Sequence, residues 1–354
     1  MIKKICFFSA CFATHKQVRM EYAEKYFPKD IKLFLLTPKK ENKYRLNRTE
    51  VIELSKNKIL FTLKMRNFCR KNNIDLLINL GSHKESFSML VATFLTGTKF
   101  IINLATNIWN APSLEEKRYK KDLYYIIRFF LIFPFIFAKK IILPSQDLTD
   151  ITKKYFFFIK SKIHQLPLII DERLFPIQKK SFVRKKLKLP LNKEIILYTG
   201  RIQYLKGSDL LFKIIEKNKK RLFILIGERD KELSNQKFDN VIFIPSAKLK
   251  ELVNYYNAAD LFIFPSRVEA YGMVHREAML CKTPALVSDI PSLRLTPYVL
   301  KAKLSLLDMQ NKIDNFFSMP KKKKLELGEL SRKAVLEESS FEKLKGKYKE
   351  IYLE

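Results

Sequence analysis

Short runs of apolar residues alternate with longer amphipathic segments along most of the chain. Runs of roughly four to eight apolar residues, bounded by polar or turn-forming residues, are typical of strands buried in a parallel sheet. In the first part of the chain this pattern predicts strands at residues 2–8, 32–36, 76–79, 100–104, 140–143 and 162–166. Segments of helical length, such as residues 85–95, lie between these strands.

The alternation breaks at residues 171–192, where prolines and lysines predict a linker, and then restarts. The second set of apolar runs predicts strands at residues 194–199, 222–226, 241–244, 261–264 and 285–288. Strands that alternate with helices favour parallel sheets covered by helices on both faces. The sequence therefore predicts an α/β fold with two doubly wound parallel-sheet domains facing a central cleft. We expect a first domain at 1–177, a second at 178–338, and a C-terminal helix at 339–354 that packs back on the first domain.

The length and charge of the chain narrow the possible partners. A chain of 354 residues with 47% hydrophobic content can bury two cores, and its formal net charge is +32. Such a surface attracts nucleic acid, anionic lipid or phosphorylated substrates, unless it is only a solvated lysine-rich surface. Because no helix-turn-helix, RNP, KH or zinc-finger pattern accompanies the charge, we expect no nucleic-acid partner.

The cysteines and the N-terminus indicate the compartment. Four scattered cysteines without a CxxC pair predict neither a disulfide framework nor a metal site, and they fit a reducing cytoplasm. Lys3 and Lys4 followed by an apolar run resemble a short signal peptide. We favour a first buried strand, because the run is near the minimum for a signal core and the next strand follows at normal α/β spacing.

Residues 123–137 are intensely apolar and aromatic, but Arg128 and Pro134 interrupt them. The segment is shorter than the roughly 18 residues that a spanning helix needs. Two interpretations remain open: a core helix that covers the first sheet, or a helix that dips into a membrane interface beside Lys120, Lys121, Lys139 and Lys140. The second would place a cytoplasmic protein at the inner face of an anionic membrane.

Two glutamates stand out for their spacing. Glu269 and Glu277 lie eight residues apart on either side of Gly272, directly after a predicted strand. On one helix they would be about 12 Å apart, which exceeds the roughly 5–9.5 Å of a carboxylate pair at a glycosidic bond. Their spacing suits the two ends of an extended ligand such as a sugar nucleotide. The strand–loop–helix junction between them is typical of anion sites, because the first N–H groups of a helix are free.

A second motif supplies cations. Gly200, Arg201, Lys206 and Gly207 follow the first strand of the second domain. Arginine binds phosphate oxygens bidentately and lysine adds a point charge, a combination that suits a diphosphate. The sequence contains neither GxGxxG nor GxxxxGK[ST], so a dinucleotide oxidoreductase and a P-loop enzyme are both disfavoured.

Together these motifs carry a family resemblance. The order GR-x4-KG at 200–207, LFILIG at 222–227 and ELVNYYNAADLFIFPSRVEAYGMVHREAM at 251–279 resembles the donor domain of the GT4 family of retaining glycosyltransferases. The resemblance covers nearly the whole chain, most strongly residues 195–290. It implies the GT-B fold, in which two Rossmann-like domains face a cleft. It also implies transfer of a sugar from a UDP- or GDP-linked donor to a cell-surface glycan or lipid-linked acceptor, with no metal and no cofactor.

The resemblance also implies residue roles. Arg201 and Lys206 would stabilise the charge on the leaving diphosphate, and Glu269 would hold donor-sugar hydroxyls, so these three are the expected catalytic residues. Glu277 would accept hydrogen bonds from the ribose diol. The remaining donor-binding positions, which act through the backbone or close packing, are Gly200, Tyr271, Gly272, Met273 and Val274.

Some positions depart from the family pattern. The loop at 9–15 lacks the glycines that contact the diphosphate in many relatives. Ala105, Thr106 and Asn107 stand where the first domain often carries a histidine, and His83 is a candidate substitute. These departures leave two alternatives open: a catalytically inactive GT-B binding subunit, or a GT-B nucleotide-sugar epimerase.

Overall fold

The structure is a computed structural model that describes residues 2–9, 14–38, 46–81, 85–107, 109, 118–230, 233, 237–294 and 296–354. It divides into two compact units: Met1–Ile169 with Phe341–Glu354, here called unit 1, and Ile170–Ser340, here called unit 2. Each unit is built on one parallel sheet. The predicted fold class of two Rossmann-like parallel-sheet domains is therefore confirmed.

Unit 1 contains a seven-stranded sheet in the order β3-β2-β1-β4-β5-β6-β7. Its strands are β1 (Lys4–Phe8), β2 (Lys32–Thr37), β3 (Thr49–Glu53), β4 (Leu76–Asn79), β5 (Lys99–Asn103), β6 (Lys140–Leu143) and β7 (Ile163–Gln165). The helices are α1 (Thr14–Tyr26), α2 (Lys58–Asn72), α3 (Ser86–Thr93), α4 (Arg118–Phe137) and α5 (Gln146–Tyr155). Because β1 pairs with both β2 and β4, the N-terminal apolar run is a central strand, as we favoured.

Unit 2 contains a six-stranded sheet in the order β10-β9-β8-β11-β12-β13. Its strands are β8 (Ile195–Thr199), β9 (Leu222–Ile226), β10 (Val241–Ile244), β11 (Leu261–Phe264), β12 (Ala285–Ser288) and β13 (Leu300–Ala302). The helices are α6 (Lys180–Lys186), α7 (Ser208–Lys217), α8 (Leu249–Ala258), α9 (Met273–Leu280), α10 (Pro291–Arg294), α11 (Leu306–Ser318) and α12 (Lys321–Ser339). Every side chain of β8, β9, β11 and β12 is buried, which explains why these strands read as continuous apolar runs.

Side-chain caps fix where several helices begin. Asn57 Oδ1 accepts from the amides of Ile59 (3.0 Å) and Leu60 (3.1 Å) at the start of α2. Ser305 Oγ accepts from the amide of Asp308 at 3.2 Å, which begins α11. Such caps satisfy backbone donors that the helix itself leaves free.

The boundary between the units lies upstream of its predicted place at 177/178. The amide of Ile170 donates to Ser339 O at 2.9 Å, and the Pro176 carbonyl accepts from Asn257 at 3.1 Å. Both partners belong to unit 2. Residues 170–177 are therefore tied to the second sheet by hydrogen bonds that no local sequence pattern announces.

The C-terminal helix α13 (Phe341–Leu353) belongs to unit 1. Phe341 stacks on Tyr22 with ring centroids 4.6 Å apart. The Tyr352 hydroxyl donates to Asn103 Oδ1 at 2.8 Å, and Tyr348 donates to the Pro167 carbonyl at 2.8 Å. Buried tyrosines with satisfied hydroxyls give this last helix a defined position on the sheet.

Helix α4 contains residues 123–137, the segment whose role the sequence analysis leaves open. Over the described part of the chain, no helix combines the length and the apolarity needed to cross a bilayer. Leu131 and Phe135 on this helix are buried, whereas Phe129 and Phe137 are more than half exposed. One side of α4 is therefore buried, and the helix packs against α3.

Candidate active site

The candidate site lies where the order of strands in unit 2 changes direction. From β8 the chain moves outwards to β9 and β10, and then returns to add β11 on the other side of β8. Ligands of open α/β sheets bind outside the carboxyl ends of the two strands at such a point. The loop after β8 carries Gly200, Arg201 and Lys206, and the loop after β11 carries Glu269. The two sequence motifs therefore meet at the carboxyl ends of β8 and β11.

Glycines let these loops approach closely. Gly207 begins α7 with φ +75°, and a Cβ added there would overlap the carbonyl oxygen of Pro265. Gly227, at the end of β9, has φ +149°, and a Cβ there would overlap the carbonyl oxygen of Gly200. These positions need glycine both for the positive φ and for the lack of space. The contact between Gly207 and Pro265 brings the end of β11 against the start of α7.

Lys206 and Glu269 form a direct ion pair. Lys206 Nζ donates to Glu269 Oε1 and, at 3.3 Å, to the Val268 carbonyl. Ser266 Oγ donates to the same Glu269 oxygen at 3.1 Å. The side chains of Lys206 and Glu269 are only 20% and 12% exposed, so the pair is shielded from water more than a surface salt bridge. A cation and an anion are thus held together at the place where a ligand would bind.

Arg201 lies next to this pair and is exposed. Its carbonyl accepts a hydrogen bond from the Tyr198 hydroxyl at 2.7 Å. Burial raises the pKa of Tyr198, the charge of Glu269 raises it further, and the charge of Arg201 lowers it. Both charges therefore act on the same phenol. Among the described residues, the Arg201 guanidinium has no hydrogen-bond or ion-pair partner, which leaves its donors available.

Glu277 is held by a chain of hydroxyl groups. The Tyr256 hydroxyl donates to Glu277 Oε2 at 2.8 Å and lies 3.1 Å from Thr199 Oγ1. Burial raises the pKa of Glu277 above its ordinary value, and the hydrogen bond from Tyr256 opposes this shift. The carboxyl is therefore positioned by α8 and β8 rather than by neighbours on its own helix.

The start of α9 is suited to an anion. Gly272 precedes the helix with φ +73°, and no side chain caps it. The first amides of a helix lack intrahelical acceptors, so they face outwards with the positive end of the helix dipole. Met273 and Val274 are half-buried at this turn, and Tyr271 is buried. Since α9 begins at Met273, only Glu277 lies on the helix, and Glu269 belongs to the preceding loop.

A buried arginine, Arg276, holds the loop before α9 in place. Arg276 is 2% exposed and donates to both carboxylate oxygens of Glu338, at 3.1 and 2.9 Å. It also donates to the carbonyls of Tyr271 and Gly272. The Tyr271 hydroxyl lies 2.6 Å from Ser339 Oγ on the same helix, α12. These bonds fix the loop of residues 271–272 to α12, more than sixty residues along the chain.

His275 is the neighbour of this arginine and is fully buried. Burial lowers its pKa well below the ordinary value, and the charge of Arg276 adds to this shift. The imidazole is therefore neutral. Its Nε2 lies 3.4 Å from Thr296 Oγ1, and within the described residues its Nδ1 has no hydrogen-bond partner. Nothing in this environment assigns the histidine a role.

The structure brings together most of the residues that the sequence predicted, and it adds others. Lys206 and Glu269 are in contact, and Gly200 and Arg201 lie on the same loop as Lys206. Sequence reasoning missed the residues that hold the site: Tyr256, Thr199, Ser266, Arg276 and Glu338. Tyr256, Ser266 and Arg276 lay in the stretch used for the resemblance, but nothing in the sequence there marked them as partners of site residues. His83 and residues 10–13 lie outside the described residues.

Comparison with known proteins identifies the class. Residues 179–296 match the family Glycosyl transferases group 1. The predicted resemblance is therefore confirmed at the level of the family.

Individual relatives agree with this assignment. The chain is 30% identical over 151 residues to a D-inositol 3-phosphate glycosyltransferase of Xylanimonas cellulosilytica, an alignment that covers 38% of this chain and 36% of that protein. The chain thus spans about a third of the length of the curated relatives it matches.

Solved structures extend the similarity to the whole fold. A sucrose-phosphate synthase of Thermosynechococcus elongatus superposes with a TM-score of 0.81 at 16% identity, over 99% of this chain and 98% of that one. Anabaena HepE, solved in complex with UDP-glucose, superposes with a TM-score of 0.80 at 15% identity, over 98% of each chain. The chain therefore has the GT-B fold of these proteins.

The contact between Gly207 and Pro265 predicts a large effect of one methyl group. Gly207→Ala should lower the free energy of unfolding of unit 2 by about 3 kcal/mol or more, because strain and overlap add. Gly97 is a matched control, since its φ is +76° and a Cβ there would have nothing within 4 Å. Gly97→Ala should cost only about 1–2 kcal/mol, from the backbone conformation alone. Urea unfolding followed by circular dichroism measures both, and equal losses would contradict the steric account.

The anchor under the site predicts a second contrast. Arg276→Met removes the donors that bind Glu338 and two carbonyls, and it should lower the free energy of unfolding by about 3–5 kcal/mol. Lys32→Met removes the cation of an ion pair with Glu50 in which the side chains are 59% and 54% exposed, and it should cost less than about 1 kcal/mol. Thermal unfolding of the two variants provides the measurement. A small loss for Arg276→Met would show that the loop is held by other contacts.

Proposed function

We propose that the protein is a retaining glycosyltransferase that transfers a sugar from a UDP- or GDP-linked donor. One observation carries the proposal: the loops after β8 and β11 bring a cation–carboxylate pair, Lys206 and Glu269, to the switch point of the sheet. Two facts support it. Residues 179–296 match a glycosyltransferase family, and a solved protein of the same fold is described in complex with UDP-glucose.

The geometry suggests a division of labour along the donor. Glu277, held by Tyr256, accepts hydrogen bonds from the ribose diol. The open helix start at Gly272, with the backbone of Tyr271, Met273 and Val274, receives the sugar and phosphate oxygens. Arg201 and Lys206 then face the diphosphate as it leaves.

Catalysis in this proposal is mainly electrostatic. Negative charge grows on the diphosphate as the sugar–oxygen bond breaks, and fixed cations stabilise that charge without a metal ion. Lys206 and Glu269 form an ion pair, so in this proposal one pair contacts both sides of the breaking bond. Glu269 holds the sugar hydroxyls while Lys206 meets the phosphate. The acceptor attacks from the face of the leaving group, which retains the anomeric configuration.

The acceptor in this proposal is a cell-surface glycan or a lipid-linked sugar, and the site works in the cytoplasm. Two alternatives have other consequences. An inactive binding subunit would bind the donor without releasing nucleoside diphosphate. A nucleotide-sugar epimerase would yield a sugar nucleotide of altered configuration without any acceptor. Analysis of the products by mass spectrometry and NMR distinguishes these outcomes from transfer.

Donor fragments test each role separately. UDP-, GDP- and CMP-sugars are first screened by thermal shift, and the binding of none would contradict the proposal. Isothermal titration then compares the nucleoside, the nucleoside diphosphate and the whole sugar nucleotide. Arg201→Ala should weaken the diphosphate about 10–100-fold and leave the nucleoside unaffected, because a charged hydrogen bond contributes about 1.5–3 kcal/mol.

The other variants should separate in the same experiment. Glu277→Gln should weaken all three ligands, whereas Glu269→Gln should weaken only the sugar nucleotide. Lys206→Met is compared with the double variant Lys206→Met/Glu269→Gln. The comparison is needed because the single substitution leaves the shielded Glu269 carboxylate without its cation. Lys213, exposed on α7, gives a control, and Lys213→Ala should bind as the unaltered protein does. Equal losses for every ligand in Arg201→Ala would mean that the arginine does not contact the diphosphate.

The raised pKa of Glu277 predicts a pH dependence. Ligand hydroxyls donate to the ionised carboxyl, so affinity for the nucleoside should be highest above the pKa of the free protein. It should fall, by at most about tenfold per pH unit, as the pH drops through that pKa. The affinity falls at low pH because protons compete with the ligand for the Glu277 carboxylate. Glu277→Gln should bind more weakly and lose this slope. A slope unchanged in the variant would assign the titration to another group.

A further inference from the structure

Helix α4 in unit 1 has two apolar sides. One side is buried and includes Leu131 and Phe135. The other side is exposed, and its large apolar residues are Leu123, Tyr125, Ile126, Phe129, Phe130, Phe133, Ile136 and Phe137. Their spacing of three and four residues forms a stripe along one face of the helix. A helix on a protein surface normally presents polar residues there.

Neighbouring helices extend this surface. Helix α3 packs against both α4 and α2. Phe87, Val91, Phe94 and Leu95 on or just after α3 are exposed, and Ile59, Leu60 and Leu63 are exposed on α2. We call these exposed residues of α2, α3 and α4 the apolar face. Phe94 is 59% exposed and Leu95 81%, so the face is open to water over several side chains. Contiguous exposed apolar surface of this kind marks interaction sites.

Lysines border the apolar face at one end. Lys99 is the first residue of β5, and Lys139 and Lys162 directly precede β6 and β7. All three line a pocket of about 420 Å³, together with Phe94, Leu95 and Phe137 of the apolar face. Lys162 Nζ donates to the Ile136 carbonyl at 2.6 Å, which holds it at the end of α4. The pocket therefore combines apolar walls with three ammonium groups.

The charges at this pocket are poorly balanced. Burial lowers the pKa of Lys139, and the positive charges of Lys140 and Lys99 lower it further, while Glu354 opposes the shift. Mutual repulsion of this kind is relieved by an anion. These lysines lie at the amino ends of the strands, whereas ligands of such sheets bind at the carboxyl ends. The pocket is therefore separate from the carboxyl ends of the strands, where unit 1 would bind a small-molecule ligand.

We propose that the apolar face docks on an anionic lipid bilayer, with a lipid phosphate bound between Lys99, Lys139 and Lys162. The aromatic side chains of α3 and α4 enter the boundary between headgroups and acyl chains, as amphipathic surface helices do. The lysines meet the negative surface potential of the leaflet. The chain does not need a spanning helix for this, and the proposal holds whether or not the protein transfers sugars.

Charge decides between a bilayer and a second copy of the chain. In a symmetric dimer the partner surface is the same surface, so it brings a second set of the same lysines rather than an anionic partner. Like charges placed together oppose association. A bilayer containing anionic lipid covers the same apolar side chains and neutralises the lysines at the same time. The high positive charge of the whole chain, +32, acts in the same direction.

Vesicle flotation with the full chain tests the proposal. The protein should float with vesicles of phosphatidylcholine and phosphatidylglycerol at low salt, and much less with phosphatidylcholine alone. A tryptophan at the apolar face reports insertion, since the chain has a single, buried tryptophan, Trp109. Phe129→Trp should shift to shorter emission wavelength on binding and be quenched by brominated lipid. Phe182→Trp, at a position 61% exposed in unit 2, should do neither.

Matched variants separate the two parts of the surface. Phe129→Ser/Phe130→Ser/Phe133→Ser should reduce vesicle partitioning roughly tenfold or more, whereas Phe182→Ser/Leu307→Ser in unit 2 should not. Lys99→Gln/Lys139→Gln should reduce it roughly tenfold, and more than Lys321→Gln/Lys322→Gln on α12, which removes the same charge elsewhere. All replaced apolar side chains are exposed, and unchanged thermal unfolding confirms that the variants fold.

Three results would overturn the proposal. The first is failure of the unaltered protein to float with anionic vesicles. The second is a dimer, measured by light scattering, that the triple serine variant converts to a monomer without any vesicle binding by either form. The third is an equal loss of binding in the two lysine pairs, which would reduce the effect to net charge and remove the pocket from it.

Discussion

The candidate site depends on how closely two backbone segments approach each other in unit 2. The start of α7 lies against the end of β11, where Gly207 leaves no room for a Cβ beside the Pro265 carbonyl. This contact places Lys206, the residue before the glycine, within reach of Glu269 in the loop after β11. Gly227 allows a similar approach of β9 to Gly200. Two of the 8 glycines in the chain therefore shape the carboxyl ends of β8, β9 and β11.

Buried polar groups then hold the site in place. Arg276 ties the loop of residues 271–272 to Glu338, and Tyr256 positions Glu277. Arg276 and Tyr256 are buried and have hydrogen-bond partners within the protein, which favours a single arrangement. Arg201 differs, because it is exposed and its guanidinium has no partner among the described residues. The site thus combines a rigid frame with a cation that is free to meet a ligand.

Much of the fold followed from local pattern, and the exceptions share a cause. Strands such as β9 and β11 are buried on both faces, so their apolar runs were visible in the sequence. The sequence analysis missed β3 and β13, two partly exposed edge strands in which polar residues interrupt the apolar ones. Such strands leave no continuous apolar run, whereas the edge strand β10 was predicted because all four of its residues are apolar. The domain boundary was misplaced for a related reason, since the bonds of Ile170 and Pro176 reach residues far away in the chain.

The sequence by itself determined the class of fold and the positions of most strands, and it singled out Arg201, Lys206, Glu269 and Glu277 as candidates, because hydrophobic period and motif spacing are local properties. Only the tertiary structure decided which of these residues touch and what holds them. The pairing of Lys206 with Glu269 spans 63 positions, and that of Arg276 with Glu338 spans 62. It also decided that one side of α4 remains exposed. Composition counts apolar residues, but packing alone determines which of them water still reaches.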